Sequence, residues 1–303
     1  MTSPIRLNIG TRGSPLALAQ AEIVRAALFQ AWPDLAIEDA VTIKVIKTTG
    51  DKIQDRTLAE LGGKGLFTKE IEEALYAKEI DLAVHSMKDM PTVLPDGLAI
   101  LAVLPRADVR DLLIGPYGGL ESIPPDAVVG TASLRRQAQL LAHRPDLQVV
   151  PLRGNVQTRL AKLARGDVAA TFLAKAGLDR MGMHDVPSVP LEPDVMLPAV
   201  AQGAIGIEAR LDDQRVAELL AKLDDPLTHA CIRAERAMLQ VLDGSCRTPI
   251  AGLARQLADG RLRLDGLVAS PDGRRVARAG AEGSDPLTLG DEVGQELLAR
   301  QQA

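Results

Sequence analysis

Aromatic residues are nearly missing from this chain: Phe, Trp and Tyr make up 2% of 303 residues, against 46% hydrophobic residues overall. The cores must therefore be aliphatic, packed from Leu, Val, Ile and Ala. Cysteine is scarce too, with Cys231 and Cys246 alone. Two thiols in a chain this long exclude a disulfide scaffold and fit a reducing compartment. No apolar run reaches the ~18 residues a membrane span needs. The start, Met1 to Arg6, has no apolar signal core and leads straight into a strand pattern. A soluble cytoplasmic protein is the expectation. Basic residues do not dominate either. The net charge is −5, which argues against a general nucleic-acid binder. No phosphate-loop or dinucleotide fingerprint is present, which disfavours a nucleotide-dependent enzyme.

What is present points to several domains, since the length suits two or three. Ile5–Thr11 has a strand pattern. Ser14 then suits an N-cap and Pro15 the first position of a helix reaching about Ala31. A helix start directly after a strand offers unpaired N–H groups to an anion, and Arg12 stands at that mouth. Val41–Thr48 is a second strand. Gly62-Gly63-Lys64-Gly65 follows in a long polar stretch and resembles a phosphate loop only superficially. It suits a mobile loop, with Phe67 where loop becomes helix. Ile80–His85 is a third strand, running into Ser86-Met87-Lys88-Asp89. The carboxyl end of a strand in an open α/β sheet is where ligands collect.

Leu98–Leu104 is a further strand, and a crossover near Arg106–Asp111 opens a second domain. A motif then recurs: an apolar strand ends, a turn follows, and arginines stand near a helix start. The instances are Thr131-Ala132-Ser133-Leu134-Arg135-Arg136, Arg153-Gly154-Asn155 through Arg159, and Ala176 to Arg180. Arginine grips planar carboxylates with two parallel hydrogen bonds, so a ligand rich in carboxylates or phosphates fits this convergence. Any one of these arginines alone would suit a solvated loop. After Gln202-Gly203, Ile205–Glu208 is a strand that returns to the first domain. Helices follow over Asp212–Leu223 and Pro226–Leu242, with Cys231 inside the second as a structural residue. The turn 243–252 presents Cys246 beside Arg247, and a nearby cation favours thiolate. A lone Cys is more often a small buried hydrophobe. Asp259-Gly260 and Asp272-Gly273 mark hairpins of a small antiparallel sheet, closed by a helix from about Pro286. No internal repeat is visible.

Taken together, Thr11–Ala17, Gly62–Phe67, His85–Asp89, Gly130–Arg136, Leu152–Asn155 and the Cys246 loop resemble the porphobilinogen deaminase, or hydroxymethylbilane synthase, family. The resemblance implies an α/β protein of three domains. The first two would be like the halves of a type II periplasmic binding protein with a cleft between them. The third would be a small α+β domain with a three-stranded antiparallel sheet. Their ranges would be 1–104 plus 203–223, 105–202 and 224–303. The implied activity condenses four porphobilinogen molecules head to tail into a linear tetrapyrrole, with loss of ammonia. A dipyrromethane cofactor, joined to Cys246 by a thioether, would prime the chain. Asp89 matches the catalytic aspartate. Arg12, Arg135, Arg136, Arg153, Arg159 and Arg180 match basic residues of the cofactor and substrate sites. Ser14, Ser86, Lys88, Thr131, Ser133 and Asn155 would join them. Lys64 and Phe67 fall on the mobile loop, and Gln202 in the hinge. A monomer needing no metal, membrane or nucleic acid is implied. Two departures stand out: Glu60 lies where some members carry Lys, and Lys175 has no assigned task. The rival is a non-catalytic binder of polycarboxylates, against which the looped Cys246 and the third domain count.

Overall fold

The computed structural model describes residues 6–49, 68–242 and 248–302. In chain order its elements are β1 (Leu7–Thr11), α1 (Pro15–Ala31), β2 (Val41–Val45), α2 (Lys69–Tyr76), β3 (Leu82–Ser86), β4 (Leu98–Val103), β5 (Asp111–Ile114), β6 (Val128–Gly130), α3 (Leu134–His143), β7 (Gln148–Val150), α4 (Val156–Ala164), β8 (Ala170–Ala174), α5 (Lys175–Arg180), β9 (Ser188–Leu191), β10 (Ile205–Arg210), α6 (Gln214–Leu220), α7 (Pro226–Val241), β11 (Ile250–Gln256), β12 (Leu262–Ala269), β13 (Val276–Gly283) and α8 (Pro286–Gln302).

The chain forms two compact units. It passes from the first to the second after Arg106 and returns at Ala204, and the second also takes everything from Ala230 onward. The first unit holds a sheet of order β2-β1-β3-β10-β4. Its β2, β1 and β3 are parallel, while β10 runs antiparallel to both β3 and β4. The second unit holds a sheet of order β7-β6-β8-β5-β9. There β7, β6 and β8 are parallel, and β5 runs antiparallel to β8 and β9. The two sheets thus share one topology although their sequences show no repeat. The third sheet, β11-β12-β13, is the expected antiparallel meander.

Local chemistry explains the elements that carry the site. Ser14 caps α1 by accepting from the Ala17 N–H, and Pro15 occupies its first turn. Ala21, Val24 and Leu28 of α1 then bury against Leu7, Ile9, Leu82 and Val84, an aliphatic core as the composition requires. In the second unit Phe172 is 1% exposed and packs with Leu113, Val129 and Leu140.

Two strands escape a reading of the sequence. β5 is a four-residue stretch, Asp-Leu-Leu-Ile, buried along its whole length. Its opening Asp makes it resemble the end of a linker rather than a central strand. β9 carries Pro190, which cannot donate to a ladder, and it is tolerated because β9 is an edge.

The β12–β13 turn yields one prediction. Gly273 has φ +71°, and an added Cβ would lie 2.5 Å from the Ala138 carbonyl of α3. Gly260, in the β11–β12 turn, has φ +87° with open space around it. Gly260→Ala meets only backbone strain, costing about 1 kcal/mol. Gly273→Ala adds a clash with helix backbone and is expected to cost at least twice as much. Urea unfolding of the two variants side by side measures the difference.

Candidate active site

Most of the sequence-derived residues that are described lie just after the carboxyl ends of the parallel strands, in one group per unit, as open α/β sheets dictate. In the first unit, Thr11 ends β1 and Ser86 ends β3 on neighbouring strands. Arg12 follows Thr11 and is half-buried. The Thr11 hydroxyl donates to the Ala17 carbonyl at 3.2 Å, which ties the strand end to α1. Ser86 exchanges hydrogen bonds with the Gln20 amide of α1, at 2.9 and 3.1 Å. A single 3-10 turn, Met87–Asp89, follows at once. Met87 is 2% exposed, whereas Lys88 and Asp89 are both exposed. The Asp89 carboxylate has no hydrogen bond or ion pair with any described residue. It is an acceptor held out from an anchored turn.

In the second unit, β7, β6 and β8 present three neighbouring ends. After β6, the Thr131 hydroxyl accepts from the Ser133 N–H at 3.1 Å, and Ser133 caps α3. After β7, the Asn155 side chain caps α4, accepting from the Thr158 N–H at 2.8 Å. Arg159 Nε donates to the Gly154 carbonyl at 2.9 Å, folding back over the same turn. Arg153 keeps a buried Nη1 that no acceptor meets. After β8, Arg180 donates to the Gly203 carbonyl at 2.6 Å. Burial pushes its guanidinium down to about 10, and Asp179 only partly opposes this. Asp179 is itself taken by Lys175, at 2.7 and 2.9 Å, which gives Lys175 the task that its sequence left open. Arg153 thus keeps one unmet buried donor, and Arg180 is a cation that burial weakens more than Asp179 supports.

Arg135 and Arg136 are already engaged within the chain. Their side chains are 6% exposed, and both ion-pair with Asp111 at 2.7 Å. Their remaining bonds go to the Leu197 and Phe172 carbonyls. Gln202, 1% exposed, donates to the same carboxylate at 3.0 Å and to the Val109 carbonyl at 2.8 Å. The physical reason is β5. Its first residue carries a wholly buried carboxylate, and a buried charge must be paired. The helix start after β6 supplies both guanidiniums. These residues brace the wall of the unit. Lys64, Phe67 and Cys246 lie outside the described residues.

Sequence reasoning missed the supporting residues. Gln20 is a polar break in the buried side of α1, Asp111 heads an apolar run, and His85 and Glu208 interrupt apolar strands. A polar residue inside an apolar period is the signal that would have found all four.

Residues 7–218 match the family described as porphobilinogen deaminase, dipyromethane cofactor binding domain. Residues 229–299 match the porphobilinogen deaminase C-terminal domain. The porphobilinogen deaminase of Paracoccus denitrificans is 56% identical over 98% of this chain and 95% of its own length. The chloroplastic enzyme of Pisum sativum is 53% identical over 97% of this chain and 81% of its own. Among solved structures, a periplasmic sulfonate-binding protein of Methylobacillus flagellatus is 14% identical, with a TM-score of 0.39, over 80% of this chain and 69% of that one. Identity above half over nearly the whole length, with both family regions matched in order, means that this chain belongs to the porphobilinogen deaminase family.

Proposed function

We propose that this chain joins four porphobilinogen molecules head to tail into hydroxymethylbilane, releasing ammonia at each addition. Family membership over almost the full length carries the reading. The reaction's needs match the chemistry of the chain. Each substrate ring bears an acetate and a propionate, so the growing chain is strongly anionic. Arg153, with an unmet buried Nη1, and Arg180, lowered by burial, are suited to take such carboxylates. The unmet donor of Arg153 is the observation that makes the donor set fit the carboxylates of a dipyrromethane. Arg12, Lys88, Arg135, Arg136, Arg159, Ser14, Ser86, Thr131, Ser133, Asn155 and Gln202 are the further residues we assign to holding it and the substrate. When bound through the Cys246 sulfur, the cofactor supplies the free pyrrole carbon to which the first substrate adds.

Asp89 is the catalytic residue of this reading. Loss of ammonia leaves the substrate ring cationic, and its N–H becomes a stronger donor as that charge develops. A carboxylate accepting from this N–H stabilises the cation more than the neutral ground state. The same carboxylate can take part in moving the proton shed from the ring carbon after bond formation. Cys246, as thiolate, is the nucleophile that tethers the primer. Lys64 and Phe67 are assigned to a loop over the reacting rings. We assign the chain to the cytoplasm, as a monomer, with domains 1–104 plus 203–223, 105–202 and 224–303. No helix among the described residues is long and apolar enough to cross a membrane.

Steady-state assays with porphobilinogen, following ammonia and linear tetrapyrrole together, test the reading. Absence of both would overturn it. Arg153→Ala and Arg180→Gln provide a finer check. Each removes a half-buried cation that makes no ion pair with a described residue, so folding stability should fall by no more than about 1 kcal/mol. Elongation should stall, leaving partial chains on the protein that intact mass resolves. A full-length product formed at the unaltered rate would remove both residues from the site.

A further inference from the structure

One buried cluster in the first unit has no part in the chemistry above. In the ladder between β3 and β10, His85 pairs with Gly206 and Ala83 with Glu208. Alternation therefore puts His85, Ala83 and Glu208 on one face. Ala83 packs there with Ile71 and Leu75, so this is the face covered by α2. His85 Nε2 lies 2.8 Å from Glu208 Oε2, with side chains 5% and 0% exposed. Glu72 of α2 is 8% exposed and faces the same space. One oxygen of Glu72 and one of Glu208 are buried with no hydrogen-bond partner. Burial chiefly raises the Glu72 carboxyl above its usual range; the Thr68 hydroxyl and His85 oppose this, and the Glu208 charge adds to it. Arg210 is not the counter-charge. Its nitrogens go to the Leu75 and Ile80 carbonyls and to Asp213. Ionisable groups this deep are costly to keep, and apolar residues would pack the face more cheaply.

The cluster sits directly behind the Asp89 turn. His85 is followed by Ser86, fixed by Gln20 on the opposite face of the sheet. The Met87 side chain fills the space over Gly206, where a Cβ would lie 2.0 Å from its sulfur. The Met87 N–H donates to the Ala204 carbonyl at 3.1 Å. Lys88 and Asp89 come next and are exposed. The turn is gripped from both faces, and on the α2 face the grip begins at His85.

We propose that His85, Glu208 and Glu72 are positioning residues: the buried His85–Glu208 pair, with Glu72 packed beside it, fixes the end of β3 and so aims the Asp89 carboxylate at the reacting ring. The proposal rests on the role given to Asp89 above. A misplacement of about 1 Å in a reacting group is enough to cost up to 100-fold in rate.

A double-mutant cycle on the cofactor-loaded enzyme tests it. The kcat and KM for porphobilinogen are measured for Glu208→Gln, Asp89→Asn and the double variant, with equal loading verified by intact mass. Glu208→Gln should lower kcat roughly 10- to 100-fold with KM within about twofold. In the Asp89→Asn background the same change should cost less than about twofold, because the carboxylate it aims is gone. Glu72→Ala, run alongside, should show the same non-additivity. Multiplicative losses, or an unchanged kcat in folded Glu208→Gln, would overturn the proposal. If Glu208→Gln does not fold, His85→Gln keeps an N–H donor for Glu208 and runs the same cycle to the same outcomes. A wild-type rate in Asp89→Asn alone would instead remove the reading of Asp89, a separate failure.

Discussion

Asp89→Asn is expected to lower porphobilinogen turnover by about 10²- to 10⁴-fold, the range a positioned carboxylate contributes to charge and proton handling. Folding stability should stay within about 0.5 kcal/mol of the native chain. The two expectations come from one observation. Asp89 is exposed on a turn held by Met87, and its carboxylate bonds to nothing described. A side chain kept for folding would have partners, and this one is presented to something that arrives. The change removes the negative charge and keeps the shape, so cofactor loading should persist. Parallel thermal unfolding and steady-state rates separate the outcomes. Loss of stability together with loss of rate would mean that the turn, and not the carboxylate, is what matters.

Asp111→Asn should have the largest structural effect. The native carboxylate is 0% exposed and is shared by Arg135, Arg136 and Gln202. Removing its charge leaves two buried guanidiniums facing each other, which costs about 3–5 kcal/mol in comparable buried pairs. The effect should depend on pH in a definite sense. Burial alone would raise the Asp111 carboxyl, but Arg135 and Arg136 outweigh it and hold the group well below the usual carboxylate range. With the folded value below the unfolded value of about 3.9, the stabilisation is complete above about pH 4. It is lost as pH falls through the folded value. Wild type and variant should therefore differ most near neutrality and converge in strong acid. Urea unfolding across that range measures the gap. A gap that widens toward acid would contradict the sign.

The contrast between Asp89 and Asp111 also marks what the sequence discloses. Strand ends, helix caps at Ser14, Ser133 and Asn155, and the hairpin glycines Gly260 and Gly273 follow from local rules and hold in the structure. The carboxyl-end groups were legible because they lie directly after recognisable strands. Two things were hidden. One is the shared topology of the two sheets: the return of β10 to the first was legible, but β5 pairs with β8 and β9 from far along the chain and no local period records that. The other is partnership. Arg135 and Arg136 stand near a helix start as Arg153 does, and only the folded chain shows that the first two meet the buried carboxylate of Asp111 while Arg153 keeps an unmet donor. Sequence spacing gives the start of a side chain and not what it meets in the folded chain.

The central claim is the proposal that a pyrrole primer is tethered to Cys246 and extended with the help of Asp89. The intact mass of the purified native polypeptide tests it most directly. The account predicts a mass above that of the amino acids by two pyrrole units, absent from Cys246→Ala and rising stepwise under limiting porphobilinogen. A native mass equal to the bare polypeptide, unchanged by porphobilinogen, would contradict it.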